Sequence, residues 1–146
     1  MFIQLVIGTA LIILCVVNHA ICLELLLRRL KNIGPKWDRR MPVYGHIVIM
    51  IVVVIGLFAA HTIEAWLWGF FYFFSGELNG LSEAIYFSTV TYTTLGYGDI
   101  VLSEKWNLTS SLQAVSGIIL FGWSTAFLVN ARAFFWKKYG MDHYQG

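Results

Sequence analysis

Thr93-Thr94-Leu95-Gly96-Tyr97-Gly98-Asp99 lies between two long apolar runs, at the end of the short Thr-rich segment Ser88-Thr89-Val90-Thr91-Tyr92. Its two glycines stand two residues apart. Carbonyls along an ordinary strand alternate sides, so aiming successive ones at a common axis requires a backbone that alternates between right- and left-handed conformations. Glycine enters the left-handed region without steric cost, which suits Gly96 and Gly98 to that task. A cage of backbone oxygens can replace the lost hydration shell of a cation without the trapping that full negative charges would cause. Thr94 can add its hydroxyl oxygen at the inner end. Tyr97 is expected to point away and brace the stretch, and Asp99 to place a carboxylate at the outer mouth, where it concentrates cations. Gly-Tyr-Gly-Asp alone suits an ordinary turn equally well. Its place between two membrane-length runs separates the readings.

The surrounding composition is that of a membrane protein. The 146 residues are 58% hydrophobic and 12% charged, with a mean hydropathy of +0.70, which excludes a soluble domain of this size. Three apolar runs are long enough to span, at about 2–27, 43–68 and 108–131. Trp66, Trp68, Phe70, Phe71, Tyr72 and Phe73 suit a membrane–water interface. The first run begins without a positive side chain and exceeds the core of a signal peptide, so it reads as a span and not as a cleaved leader.

Charge gives the orientation. Arg28, Arg29, Lys31, Lys36, Arg39 and Arg40 crowd the first connection, and Arg132, Lys137 and Lys138 follow the third run. The positive-inside rule places both clusters in the cytoplasm and the N-terminus outside, in a cell membrane. The region carrying Glu64, Glu77, Glu83, Asp99 and Glu104 then forms an acidic outer face. The net charge of +2 hides this segregation. The basic loop, with Arg28, Arg29, Lys31, Arg39 and Arg40, reads as an anchor for anionic lipid headgroups, with no nucleic-acid surface. Cys15 and Cys22 sit two turns apart on one helix and cannot bridge each other.

Asn32-Ile33-Gly34-Pro35 is expected to end the first helix, leaving 31–41 as a cytoplasmic connector and Pro42 in the first turn of the second helix. Residues 75–80 read as a loop. Ser82 is then expected to cap a short helix over 83–92, with Glu83 in its first turn. That helix is too short to span and reads as re-entrant, its C-terminal dipole aimed at the membrane centre. The third run carries Thr109, Ser110, Ser111, Gln113, Ser116, Ser124, Thr125 and Asn130, as a helix lining a hydrated cavity would. Gly117 and Gly122 permit either a bend or tight packing. The tail from Phe134 to Tyr139 reads as an interfacial anchor.

Outer helix, short pore helix, filter and inner helix together resemble the pore domain of bacterial tetrameric potassium channels, over about 41–132 of the chain. The resemblance implies an all-α integral membrane fold of three transmembrane helices, a re-entrant pore helix and a filter loop, assembled as a homotetramer. It divides the chain into an additional helix (1–30), the connector (31–41), a pore domain (42–132) and a short tail (133–146). It implies a potassium-selective channel without enzymatic activity or cofactor, whose ions sit at Thr94, Leu95, Gly96 and Tyr97, with Gly98 completing the filter. The segment Ser116-Gly117-Ile118-Ile119-Leu120-Phe121-Gly122 is similar to the one holding the family's hinge glycine, so Gly117 is the hinge candidate and Gly122 the second.

The departures are specific. Leu95 stands where the family most often has Val. Val90 stands where several relatives carry a glutamate, so Asp99 needs another partner, and Tyr86 is the aromatic best placed to donate. Thr93 joins Tyr86 and Val90 as filter support. The chain has three spans, where two are common, no arginine-repeat helix for voltage sensing, and a tail in which no nucleotide- or calcium-binding domain is expected.

Two other readings stand beside this one. A nonselective cation channel shares every feature except the multi-site filter. A membrane metalloprotein would use His61 and Glu64, which share a helix face at the outer end of the second span; His46 lies about four turns away, too far to join them, and His143 is expected on the cytoplasmic side. Interfacial hydrogen bonding, or modulation by external pH or divalent ions, are milder roles for that pair. His19, with Asn18, either hydrogen-bonds to neighbouring helices or serves as a gating or proton-sensing group.

Overall fold

The computed structural model describes the backbone of residues 1–40 and 44–138, with the side chains there except at 33–40, 46 and 135–138. Four helices follow one another: α1 (Phe2–Arg40), α2 (Gly45–Phe74), α3 (Leu81–Tyr92) and α4 (Asn107–Lys138). No strand occurs among the described residues. The stretches Phe2–Asn32, Ile47–Phe74 and Asn107–Phe134, of 31, 28 and 28 residues, hold 18-residue windows with mean hydropathies of 2.4, 2.4 and 1.7. At 1.5 Å per residue the shorter two reach about 42 Å, beyond the roughly 30 Å of a bilayer core. The chain is an all-α, multi-pass membrane protein.

Several boundaries differ from the sequence reading. α1 does not stop at Asn32-Ile33-Gly34-Pro35 but continues to Arg40, so 31–40 is helix and not a loose connector. Proline removes one backbone hydrogen bond and crowds the carbonyl four residues back, which weakens a helix by about 3 kcal/mol without always ending it. Just before it, Leu30 is buried with Ile49, Val53 and Ala131, which fixes the helix there. Arg28, Arg29 and Lys31 are exposed, and Arg28 Nε donates to Glu24 Oε1 at 2.6 Å. The side chains of Arg39, Arg40 and His46, together with Pro42, His143 and the tail beyond 138, lie outside the described residues.

α2 runs to Phe74, so the aromatic zone is its last turns and not a separate segment. Trp68 and Tyr72 are fully buried, whereas Trp66 and Phe74 are exposed, so Trp68 and Tyr72 serve as core and not as interfacial anchors. α3 starts at Leu81, two residues earlier than expected. Its N-cap is Gly80, in extended conformation, and no side chain caps it. The Ala84 amide donates to the Gly80 carbonyl at 2.9 Å, which closes the first turn before Ser82 can act as a cap.

α3 dips into the bundle between α2 and α4. Its C-terminal Tyr92 meets Glu64 of α2 and lies against Gly117 of α4. Glu64 is ten residues before the end of α2 (74 − 64) and Gly117 ten after the start of α4 (117 − 107), a depth of about 15 Å. Ser88 Oγ donates to the Ala65 carbonyl at 2.5 Å. Gln113 Nε2 donates to Ser88 Oγ at 2.7 Å, and Gln113 Oε1 accepts from the Tyr72 hydroxyl at 2.9 Å. The polarity of α4 therefore divides. Thr109, Gln113, Ser116 and Ser124 are buried, Ser110 is half-buried, and Ser111, Thr125 and Asn130 are exposed.

α1 packs on α2 and α4 of its own chain. Near the filter end, Gln4 Nε2 donates to the Glu104 carbonyl at 3.0 Å and also to the Lys105 carbonyl. At the opposite end, Leu23 and Leu30 join Ile49, Val53, Leu57 and Ala131 in one apolar cluster. The start of α1 thus shares an end of the bundle with the filter, and Arg28, Arg29, Lys31 and Arg132 share the other.

α4 passes unbroken through Gly117 and Gly122. A Cβ on Gly117 would overlap the Tyr92 carbonyl oxygen, whereas one on Gly122 meets nothing within 4 Å. Gly117→Ala is expected to destabilise the purified protein by about 1–3 kcal/mol through overpacking, seen as a lowered unfolding midpoint. Gly122→Ala should stay within about 0.5 kcal/mol.

Candidate functional site

The segment after α3 is built on the helix end. The Val90 carbonyl accepts from the Leu95 amide at 3.0 Å and the Gly96 amide at 3.3 Å, and the Thr94 amide donates to the Thr91 carbonyl at 3.0 Å. These bonds satisfy carbonyls that a helix C-terminus leaves unpaired. They also turn the chain sharply out of the helix. Val90, at the position where a glutamate was noted as absent, holds Leu95 and Gly96 through its backbone carbonyl. Thr93 Oγ1 donates to the Thr89 carbonyl at 2.8 Å and also approaches that of Val90 at 3.3 Å.

The backbone then alternates. Thr94, Gly96 and Gly98 have φ of 63°, 55° and 76°, while Leu95 and Tyr97 between them do not enter positive φ. Every second residue is left-handed, the pattern that brings successive carbonyls to one side. The sequence pointed to both glycines but not to Thr94, the one non-glycine residue with positive φ among those described. A β-branched side chain there carries steric strain, and strain of this kind concentrates at functional sites. Residues 93–99 are all exposed, so in the single chain the inferred carbonyl face and the Tyr97 ring are both uncovered.

Asp99 has the partner expected for it. The Tyr86 hydroxyl donates to Asp99 Oδ2 at 2.7 Å. The carboxylate that accepts this proton holds the Tyr86 hydroxyl above the usual phenol range. The bond ties the outer end of the filter to the middle of α3, so the filter is fixed at both ends to one helix.

A family model described as ion channel matches residues 47–132. The chain belongs to this ion-channel family. The match takes in α2, α3, the filter and α4 up to Arg132, the two-span pore unit, and leaves α1 outside it. No curated protein and no solved structure matches the channel.

Behind the filter the channel holds a polar cluster that differs from the sequence reading. Glu64 does not belong to the acidic outer face. It is fully buried because α2 continues ten residues past it. Glu64 Oε1 accepts from Asn18 Nδ2 at 3.1 Å and contacts His19 Nδ1 at 2.9 Å. Glu64 Oε2 accepts from the Tyr92 hydroxyl at 2.6 Å and contacts His61 Nδ1 at 3.2 Å. Ser124 Oγ contacts His61 Nε2 at 2.8 Å and His19 Nε2 at 3.2 Å. Each of the four helices contributes. The residue that joins His61 and Glu64 is His19 from α1. Tyr92 and Ser124 carried no signal of this role, since a tyrosine in a pore helix and a serine in a polar span are each unremarkable alone.

Tyr86→Phe removes the bond to Asp99 and leaves the ring. Ion flux through reconstituted channels is expected to begin at the wild-type level and decay faster during sustained recording. Unchanged decay would mean that Asp99 is held some other way.

Proposed function

We propose that the protein is the subunit of a homotetrameric, potassium-selective channel that passes K⁺ passively down its gradient. The observation that carries this reading is the left-handed backbone at Thr94, Gly96 and Gly98. Stacked carbonyl rings at Thr94, Leu95, Gly96 and Tyr97, with the Thr94 hydroxyl at the inner end, replace the hydration shell of K⁺ at several sites in series. Leu95 contributes a carbonyl as Val would. Asp99 raises the cation concentration at the mouth.

One strand of carbonyls cannot surround an ion, and the filter face of the single chain is open. Four copies about a common axis close the rings. The positive-inside rule supports a cytoplasmic location for the end carrying Arg28, Arg29, Lys31 and Arg132, with anionic headgroups as their partners and the filter outside. Arg39 and Arg40 extend the same helix. The exposed faces of Ser111, Thr125 and Asn130 suit a hydrated inner cavity. Gly117 and Gly122 would flex only if α4 can leave the Tyr92 carbonyl.

Under K⁺/Na⁺ bi-ionic conditions, liposomes holding the purified protein should show a reversal potential near the K⁺ limit, abolished by Gly96→Ala. A potential near zero with robust current would establish a nonselective cation pore instead, with Leu95→Val as the first substitution to examine. Crosslinking in a conducting membrane preparation should reach tetramers; a ladder ending at dimers refutes the assembly.

A further inference from the structure

We propose that His19, His61 and Glu64 form a binding site for a divalent transition metal of the zinc class, enclosed between α1 and α2 behind the filter. The three offer ligand atoms that all lie within 4.8 Å of one another. His19 and Glu64 are fully buried, and the His61 side chain is 12% exposed. Two imidazoles and a carboxylate are a zinc donor set, with a fourth position left over. Calcium and magnesium ask for six or more oxygens and find no such shell here. Tetrahedral bonds of about 2.0–2.1 Å put neighbouring ligand atoms roughly 3.3 Å apart. His19 Nδ1 stands 2.9 Å from Glu64 Oε1 and His61 Nδ1 3.2 Å from Glu64 Oε2, so both imidazoles lie within ligand reach of the carboxylate.

The outer contacts also suit a metal. Each neutral imidazole carries one N–H. Without a metal, His19 Nδ1–H donates to Glu64, the Ser124 hydroxyl donates to His19 Nε2, and His61 Nε2–H donates to Ser124 Oγ, while His61 Nδ1 faces the Tyr92 hydroxyl at 2.9 Å. A metal on the two Nδ1 atoms asks only His19 to change tautomer. Both Nε2–H groups then donate to the two lone pairs of Ser124 Oγ. The imidazoles lose no proton in the change, because the His19 hydrogen moves from Nδ1 to Nε2 of its own ring. Asn18 and Tyr92 still donate to Glu64. These outer contacts are the kind that orient ligands around a bound metal.

The site depends on a helix that the pore unit does not include, since His19 precedes residues 47–132. An ion there joins α1 to α2 directly, to α3 through Tyr92 and to α4 through Ser124. Its presence does not depend on potassium selectivity, and binding is read without ion flux.

The test uses the full chain, purified with chelator, freed of it and titrated with Co²⁺. One Co²⁺ per chain, with the intense visible bands of a four-coordinate ion and displacement by Zn²⁺, is the expected result. Ser124→Ala should weaken binding by about 10- to 100-fold, and His19→Ala by more. The wild-type spectrum decides the matter even where a variant does not fold. No saturable binding, a spectrum like that of hydrated Co²⁺, or equal affinity in folded His19→Ala overturns the proposal.

Discussion

A carboxylate buried in a membrane-spanning helix sets the terms for the rest of this molecule. Glu64 is fully enclosed, and an ionised carboxylate in such a setting costs several kcal/mol unless other groups surround and satisfy it. Its own helix supplies only His61. Asn18 and His19 come from α1 and Tyr92 from α3. The extra helix is therefore more than a sleeve around a pore unit, since it carries two of the groups that let Glu64 stay inside. The same carboxylate holds the last residue of the pore helix, one residue before the filter-bearing stretch begins.

The left-handed backbone at Gly96 and Gly98 was legible because its physics is local. Two glycines at a spacing of two announce a left-handed alternation without any knowledge of the fold. Thr94 shares that conformation and gave no sign of it, because threonine is normally a poor choice there and only the bonds pinning the helix end impose it. Tyr86 and Asp99 were legible for a related reason, as one donor and one acceptor on adjoining segments. Pro35 misled because proline's cost to a helix is finite and the buried Leu30 holds the chain in place. Ser82 misled because an extended glycine two residues earlier does the same work.

Glu64 was misplaced for a different reason. A charge map sorts residues by side and assumes that acids lie at interfaces, an assumption that fails where an acid is paired inside. His19 and Ser124 are separated by 105 positions and meet only because α1 lies along α4. No spacing rule reaches across that distance. The polar residues of α4 show the same limit. Their number suggested a wet face, yet Gln113 and Ser124 are spent on internal bonds.

The cluster also imposes an order on biosynthesis. α1 is made before the other three helices, with Asn18 and His19 already on it. Glu64 arrives 45 positions after His19 and Ser124 only 105 positions after it. Until then two polar side chains must wait in lipid, where unsatisfied polar groups are costly. The polar groups of α1 thus stay unsatisfied until its later neighbours arrive. α4, made after the other three helices, completes the environment of α1.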